Sequence, residues 1–219
     1  MRAPPLLVSL AAALCLSAAA TAAAADFVDP ATGTRFDSEP TVDGTDYRCL
    51  GAGGPLAGGY SLAYCVEAEQ AEAVDTLVKL VYPNRSGTTL ERTLAGDQHF
   101  FDALTEVPGD KLVVLHLVRD TSQHSLAQAF GQALSGRLDK KKLERLQGLF
   151  AGGARGDTAL IYTHGSRVTI DVGGVSKSLE DDEIAGKLWD TWLGPRSVSP
   201  GLKSSIAHAA AAEGLPESA

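Results

Sequence analysis

From Asp157 to Ser178 the residues alternate between polar and apolar with a period of two, interrupted at His164-Gly165-Ser166 and at Gly173-Gly174. That pattern predicts three short antiparallel strands joined by tight turns. Upstream, Lys111 to Arg119 is a β-branched, nearly continuous apolar run of strand length, which predicts a central strand buried over most of both faces. Tyr47 to Glu67 reads as a hairpin around the glycine-rich stretch from Gly51 to Gly59. Four segments have helical character: Glu69 to Leu80, Gln98 to Glu106, Gln123 to Leu138 behind the capping residues Asp120, Thr121 and Ser122, and Asp139 to Phe150. In the last of these Lys140, Lys141 and Lys142 lie on the solvated side. Acidic residues Glu180 to Glu183 open a further helix, whose Ile184, Leu188 and Trp192 recur every fourth position. Ser199-Pro200 opens the final helix in cap-then-proline order. Tyr82 to Gly87 and the residues after it read as an exposed insertion around Pro83. Strands and helices fall in separate blocks, so the expected class is α+β, a large antiparallel sheet with helices layered on one face.

Met1 and Arg2 precede an apolar run from Leu6 to Leu16, and a small-residue stretch ends at Ala23-Ala24-Ala25 before Asp26. These are the charged start, apolar centre and A-x-A exit of a secretory signal peptide, so residues 1–25 are expected to be removed and the product to be periplasmic or secreted. The run is too short to span a bilayer, which takes about 20 residues, and no later segment approaches that length, so no membrane span is expected. A single domain over residues 26–212 and a disordered tail over 213–219 complete the expected organisation. With 19 Lys and Arg against 27 Asp and Glu the chain is acidic and has no dense basic cluster, so it lacks the counterion-releasing surface on which nucleic-acid affinity depends. Export also bears on Cys49 and Cys65, because thiols tend to pair in oxidising surroundings. The two lie symmetrically about Ala57 in the expected hairpin. Facing positions would allow a disulfide, whereas a one-residue offset would point them to opposite faces and leave two buried thiols.

His116, mid-strand among aliphatic residues, reads as a core histidine, and His99, His164 and His208 show no metal-ligand spacing, so neither a metal nor another cofactor is expected. The glycines from 51 to 59 lack the following Lys-Ser/Thr of a phosphate cradle. Arg155-Gly156-Asp157 reads as a chance tripeptide in a glycine-rich turn.

Two stretches together resemble the chalcone isomerase family, in particular its exported bacterial branch. Leu117 to Ala129 is similar to that branch's strand-end Arg-Asp followed by a helix, and Leu188 to Lys203 resembles the family's helix, Leu/Ile-Gly, Val-Ser-Pro and Lys-bearing last helix. The resemblance implies an open-faced β-sandwich of chalcone isomerase type. The family's plant enzymes cyclise a chalcone, and their catalytic positions can be carried over singly. The Arg position falls on Gly54 or Pro55, so the guanidinium is missing; the Thr position falls on Tyr60, the Tyr position on His124, and the last position on Thr191, which fits directly. Non-catalytic relatives hold a fatty-acid carboxylate with an Arg and a Tyr. Here Arg119 ends the expected buried strand, with Tyr60 and Tyr64 on the strand after the glycine-rich loop.

The expected function is therefore to bind a small hydrophobic, carboxylated ligand between sheet and helices, with Arg119, Tyr60, Tyr64 and Thr191 as candidate contacts. The alternative is an isomerase, an intramolecular lyase using Tyr60, His124 and Thr191. Arg119 could instead pair with Asp120, and a purely structural or partner-binding role would follow if no cavity exists.

Overall fold

The structure is a computed structural model that describes residues 26–54 and 59–213. The expected signal segment, the tail beyond 213 and Pro55 lie outside the described residues. The elements begin with β1 (Phe27–Val28) and β2 (Arg35–Phe36), which form a small sheet of their own. The main sheet has seven antiparallel strands in sequential order: β3 (Thr41–Val42), β4 (Thr45–Gly53), β5 (Tyr60–Glu67), β6 (Lys111–Leu117), β7 (Thr158–His164), β8 (Arg167–Val172) and β9 (Val175–Glu180). Helices α1 (Ala68–Val81), α2 (Gly87–Gly96) and α3 (Gln98–Glu106) fall between β5 and β6, and α4 (Gln123–Leu134) and α5 (Lys140–Gln147) between β6 and β7. After β9 come α6 (Asp182–Lys187), α7 (Asp190–Leu193) and α8 (Pro200–Glu213). Among the described residues no helix is long and apolar enough to cross a membrane.

Alternation along the strands sorts their side chains onto two faces. Leu62, Tyr64, Val113, Leu115, Leu117, Ile161 and Ile170 belong to the large core under the helices. Tyr47, Cys49, Ala52, Ala63, Cys65 and Leu112 form a second, smaller core on the opposite face with Phe36. Cys49 and Cys65 are directly opposed in the ladder and are joined by a disulfide. Immediately beyond them the register shifts between Cys49 and Gly51. This bulge shifts the phase of the strand, so that Leu50 and Gly51 both face the helices while Cys49 and Ala52 keep to the outer face.

The strands of the C-terminal meander fall where the alternation predicts them, although β9 is exposed along nearly its whole length, and Ser122 and Asp139 cap α4 and α5 as their positions predict, accepting from the N–H groups of Ser125 and Lys142. Several expectations need correction. The residues after Gly87 are not an exposed insertion: α2 buries Leu90 and Leu94 and lies against α8, so the excursion shrinks to Tyr82–Ser86. The helix from Gln123 stops at Leu134 because Gly136 adopts a positive φ of 78°. Lys142 is not simply solvated; its Nζ lies 2.9 Å from Asp181 and 2.7 Å from Glu183, tying α5 to α6. The helix carrying Ile184, Leu188 and Trp192 is two short pieces, α6 and α7. The N-terminal strands have a readable signal in Asp43-Gly44, both at positive φ, which close the β3–β4 hairpin as such pairs commonly do.

Candidate functional site

The site is set by how closely α8 approaches β4. A Cβ on Gly53 would lie 2.6 Å from the carbonyl carbon of Gly201 and the nitrogen of Leu202, and one on Gly51 would lie 2.8 Å from the nitrogen of Ile206. Only glycine lets the helix backbone touch the strand there, so the glycine-rich stretch is a docking surface for a helix. Seated this way, the start of α8 brings Ser199 over the first residue of β5, Tyr60, which packs against the large core.

The turn between α7 and α8 is held by a chain of hydrogen bonds. Val198 N–H donates to Thr191 O at 3.0 Å, Ser197 Oγ to Trp192 O at 2.5 Å, and Ser199 N–H to Ser197 Oγ at 3.0 Å. Lys203 Nζ donates to Gly194 O at 2.9 Å and Gln98 Oε1 at 2.7 Å, and stands 4.6 Å from the centre of the Phe101 ring. Gln98 in turn donates to Leu193 O at 2.9 Å. Burial pushes the Lys203 ammonium below its ordinary pKa. Every backbone group of the turn that these side chains reach is thereby satisfied.

The side chains carried by the turn are not. Thr191 Oγ1, Trp192 Nε1 and Ser199 Oγ are buried and have no hydrogen-bond partner among the described residues. Ser199, expected as a helix cap, leaves its hydroxyl unused while its carbonyl accepts from Leu202 N–H at 3.1 Å. The Tyr60 phenol lies beside Ser199 and Trp192 without the geometry of a full hydrogen bond to either. Its pKa is raised by burial, and those two neighbours partly offset the rise. A buried hydroxyl or N–H without a full partner costs about 1–3 kcal/mol, so Ser199 Oγ and Trp192 Nε1, both beside the Tyr60 phenol, concentrate poorly met hydrogen-bonding capacity there. Asp190 Oδ2 is also buried without a hydrogen bond, 3.6 Å from Arg137, and burial raises its pKa.

The structure thus brings Tyr60 together with the turn that carries Thr191, and adds Trp192 and Ser199. The sequence had placed Trp192 only on a packing face and Ser199 only as a cap. Tyr64 is core: it is fully buried, its hydroxyl donates to Leu104 O at 3.4 Å, its ring meets Trp189 edge-on at 5.9 Å, and burial raises its pKa. Trp189 is fully buried. His124 is exposed on the first turn of α4. Arg119 is exposed two residues past Leu117, which pairs with Tyr60, and its guanidinium stands 3.2 Å from where a Cβ on Gly59 would be. It makes no ion pair with Asp120, whose Oδ1 accepts from Arg155 N–H at 2.8 Å. At Gly54, one of the two positions that match the plant Arg, a Cβ would meet Tyr60 O at 2.6 Å, so the backbone leaves no room for a side chain there.

The space under the helices is occupied by aromatic rings. Phe130 lies 4.3 Å from Phe150 and 5.2 Å from Trp192, and Trp189 lies 6.2 Å from Trp192, all between ring centres. A groove of about 530 Å³ opens instead on the outer side of α4 and α5, where Gln128, Gln132, Glu144 and Arg196 line it. Among the described residues no group of His, Cys, Asp and Glu side chains is arranged to hold a metal ion.

No protein-family model matches the sequence, and no curated protein matches it. Among solved structures, the chain is similar to the fatty-acid binding protein of Arabidopsis thaliana, with a TM-score of 0.63 and 20% sequence identity over 86% of this chain and 98% of that one. The two share a fold, an α+β open-faced sandwich of chalcone isomerase type, with a seven-stranded antiparallel sheet under a helical layer.

Proposed function

We propose that the protein is an exported member of the chalcone isomerase family that binds a small hydrophobic ligand bearing a carboxylate, its head group seated among Tyr60, Thr191, Trp192 and Ser199. The observation that carries this reading is the set of buried polar atoms without partners at one end of an otherwise apolar interior. An indole N–H can only donate, and two hydroxyls can donate as well. A carboxylate accepts through two oxygens and meets all of these needs at once. Arg119, without a partner among the described residues, adds a cation at the rim. The apolar body takes the space beneath the helices by displacing part of the packing of Phe130, Phe150 and Trp192. The ligand class of the Arabidopsis protein of the same fold supports this choice. Resemblance over Leu188 to Lys203 supports the family, and residues 1–25 support export. Cyclisation is not proposed, because neither Gly54 nor Pro55, the two positions that match the plant Arg, carries a guanidinium.

Mature protein purified gently from the periplasm is expected to carry a stoichiometric hydrophobic adduct in native mass spectrometry. Emptied protein is expected to bind laurate in calorimetry, and Trp192→Phe or Ser199→Ala each weakens that binding by about tenfold. Arg119→Ala weakens it less, as suits a contact at the solvent boundary. Protein that is empty as isolated and also fails to bind laurate overturns the reading. Acceleration of chalcone cyclisation above the spontaneous rate, lost in Arg119→Ala, would replace it with an isomerase.

A further inference from the structure

On the opposite face of the sheet, a recess of about 390 Å³ lies between the turn joining β1 to β2 and the adjoining ends of β6 and β7. Its walls include Thr32, Thr34, His116, Val118 and Arg155. Two of these residues change meaning in the structure. His116 is not a core histidine: its ring is on the outer face, half-buried, with the Thr158 hydroxyl at 3.5 Å as its nearest polar neighbour. Arg155, part of a tripeptide without evident purpose in the sequence, lines the same recess and is exposed, and its guanidinium has no hydrogen bond or ion pair among the described residues.

Both walls are held before any ligand arrives. On one side the buried Asp29 carboxylate accepts from Ser61 Oγ at 2.6 Å, Thr32 Oγ1 at 2.8 Å and Ala31 N–H at 3.0 Å. The backbone closes the same turn, with Gly33 N–H donating to Asp29 O at 2.8 Å and Asp29 N–H to Thr34 O at 2.9 Å. On the other side Arg155 N–H donates to Asp120 Oδ1, and Gly156 N–H to Leu117 O at 2.8 Å. The nearby carboxylates Asp29 and Asp120 are thus turned to donors of their own, while Arg155 and His116 both line the recess. Val118 gives it an apolar floor. Its volume falls within the range of about 300–1,000 Å³ usual for small-molecule sites.

We infer that this recess binds a small organic carboxylate, its charge met by Arg155 and His116 and its body resting on Val118. A planar fork of N–H donors matches the two oxygens of a carboxylate, and the fixed walls spare the ordering cost of binding. This site is separate from the one around Tyr60, and the test keeps the two apart by saturating the protein with laurate first.

Benzoate titrated into the ¹⁵N-labelled mature chain is expected to move the amide signals of Thr32 to Thr34, His116 to Val118 and Arg155 to Gly156. Arg155→Ala should weaken that response by at least tenfold and His116→Gln by a few-fold, whereas Trp192→Phe should leave it unchanged. Inorganic phosphate, which has no apolar body, should bind more weakly than benzoate at the same residues. Absence of shifts at these residues overturns the inference, as does a response that survives Arg155→Ala. Phosphate binding as tight as benzoate would overturn the organic part of the assignment.

Discussion

The two faces of the sheet treat buried polar groups in opposite ways. On the outer face Asp29 is almost wholly buried, yet its carboxylate accepts three hydrogen bonds, and the disulfide fastens the two strands beside it. The stretch from Ser38 to Pro40 is sewn to β4 by Cys49 N–H donating to Ser38 O at 2.8 Å and Tyr47 N–H to Pro40 O at 3.0 Å. On the inner face the backbone of the α7–α8 turn is equally well satisfied, but three side-chain groups on it are not. A stabilising network and a set of unmet donors differ in consequence: the first holds a strap to the sheet, and the second leaves hydrogen-bonding capacity open in the interior.

The most severe way to break the inner face is to restore a side chain where α8 touches β4. Gly53→Val places atoms inside the backbone of Gly201 and Leu202 and is expected to cost about 3 kcal/mol or more, read as a lower denaturant midpoint. On the outer face, replacing both cysteines by alanine removes a bridge across a sequence separation of 16 and should cost about 2–4 kcal/mol, with the melting temperature falling accordingly. Asp29→Ala leaves the Ser61 and Thr32 hydroxyls without their acceptor and should cost about 1–3 kcal/mol, with faster amide exchange confined to residues 27–36.

Alkaline pH acts on both faces, since burial also pushes up the Tyr47 phenol of the outer core. Tyr64 titrates well above the ordinary 10.0 because burial disfavours its phenolate. The stability its neutral form contributes is complete below pH 10 and is lost as pH rises toward the folded value, since the unfolded chain releases that proton first. Tyr64→Phe should therefore leave stability at pH 7 nearly unchanged and flatten its decline above pH 10, in parallel denaturant titrations. The smallest change is expected from Ser199→Ala. Because that hydroxyl is buried with no partner, its removal should alter stability by no more than about 0.5 kcal/mol, in either direction, while laurate binding falls. A large loss of stability would show that Ser199 has a structural partner and would erase the contrast between the faces.

Much of this architecture is legible in local pattern. The period-two run from Asp157 to Ser178, the caps at Ser122 and Asp139 and the apolar run of β6 each reflect interactions within a few residues, which sequence records directly. The strap is harder to read, because its strands are two residues long and depend on the sheet they cover. Helix α2 is missed for a related reason: its apolar signal is two leucines four apart, and only α8 gives them something to bury against. Of the candidate contacts, Tyr60 and Thr191 converge on one region. Tyr64 is consumed by the core, and His124 and Arg119 stay at the surface.

By itself the sequence determined the class of the fold, the order of its blocks and the positions 49 and 65 that could meet across a hairpin, since periodicity and spacing are properties of the chain. Tertiary structure decided which polar groups go without partners. Ser199 and Trp192 meet Tyr60 because glycines at 51 and 53 let α8 settle onto the strand, and His116 and Arg155 share a recess because the anchored turn between β1 and β2 lies against the ends of β6 and β7. Satisfaction of a buried group depends on what lies beyond hydrogen-bond reach in sequence but within it in space, and no local pattern encodes that distance.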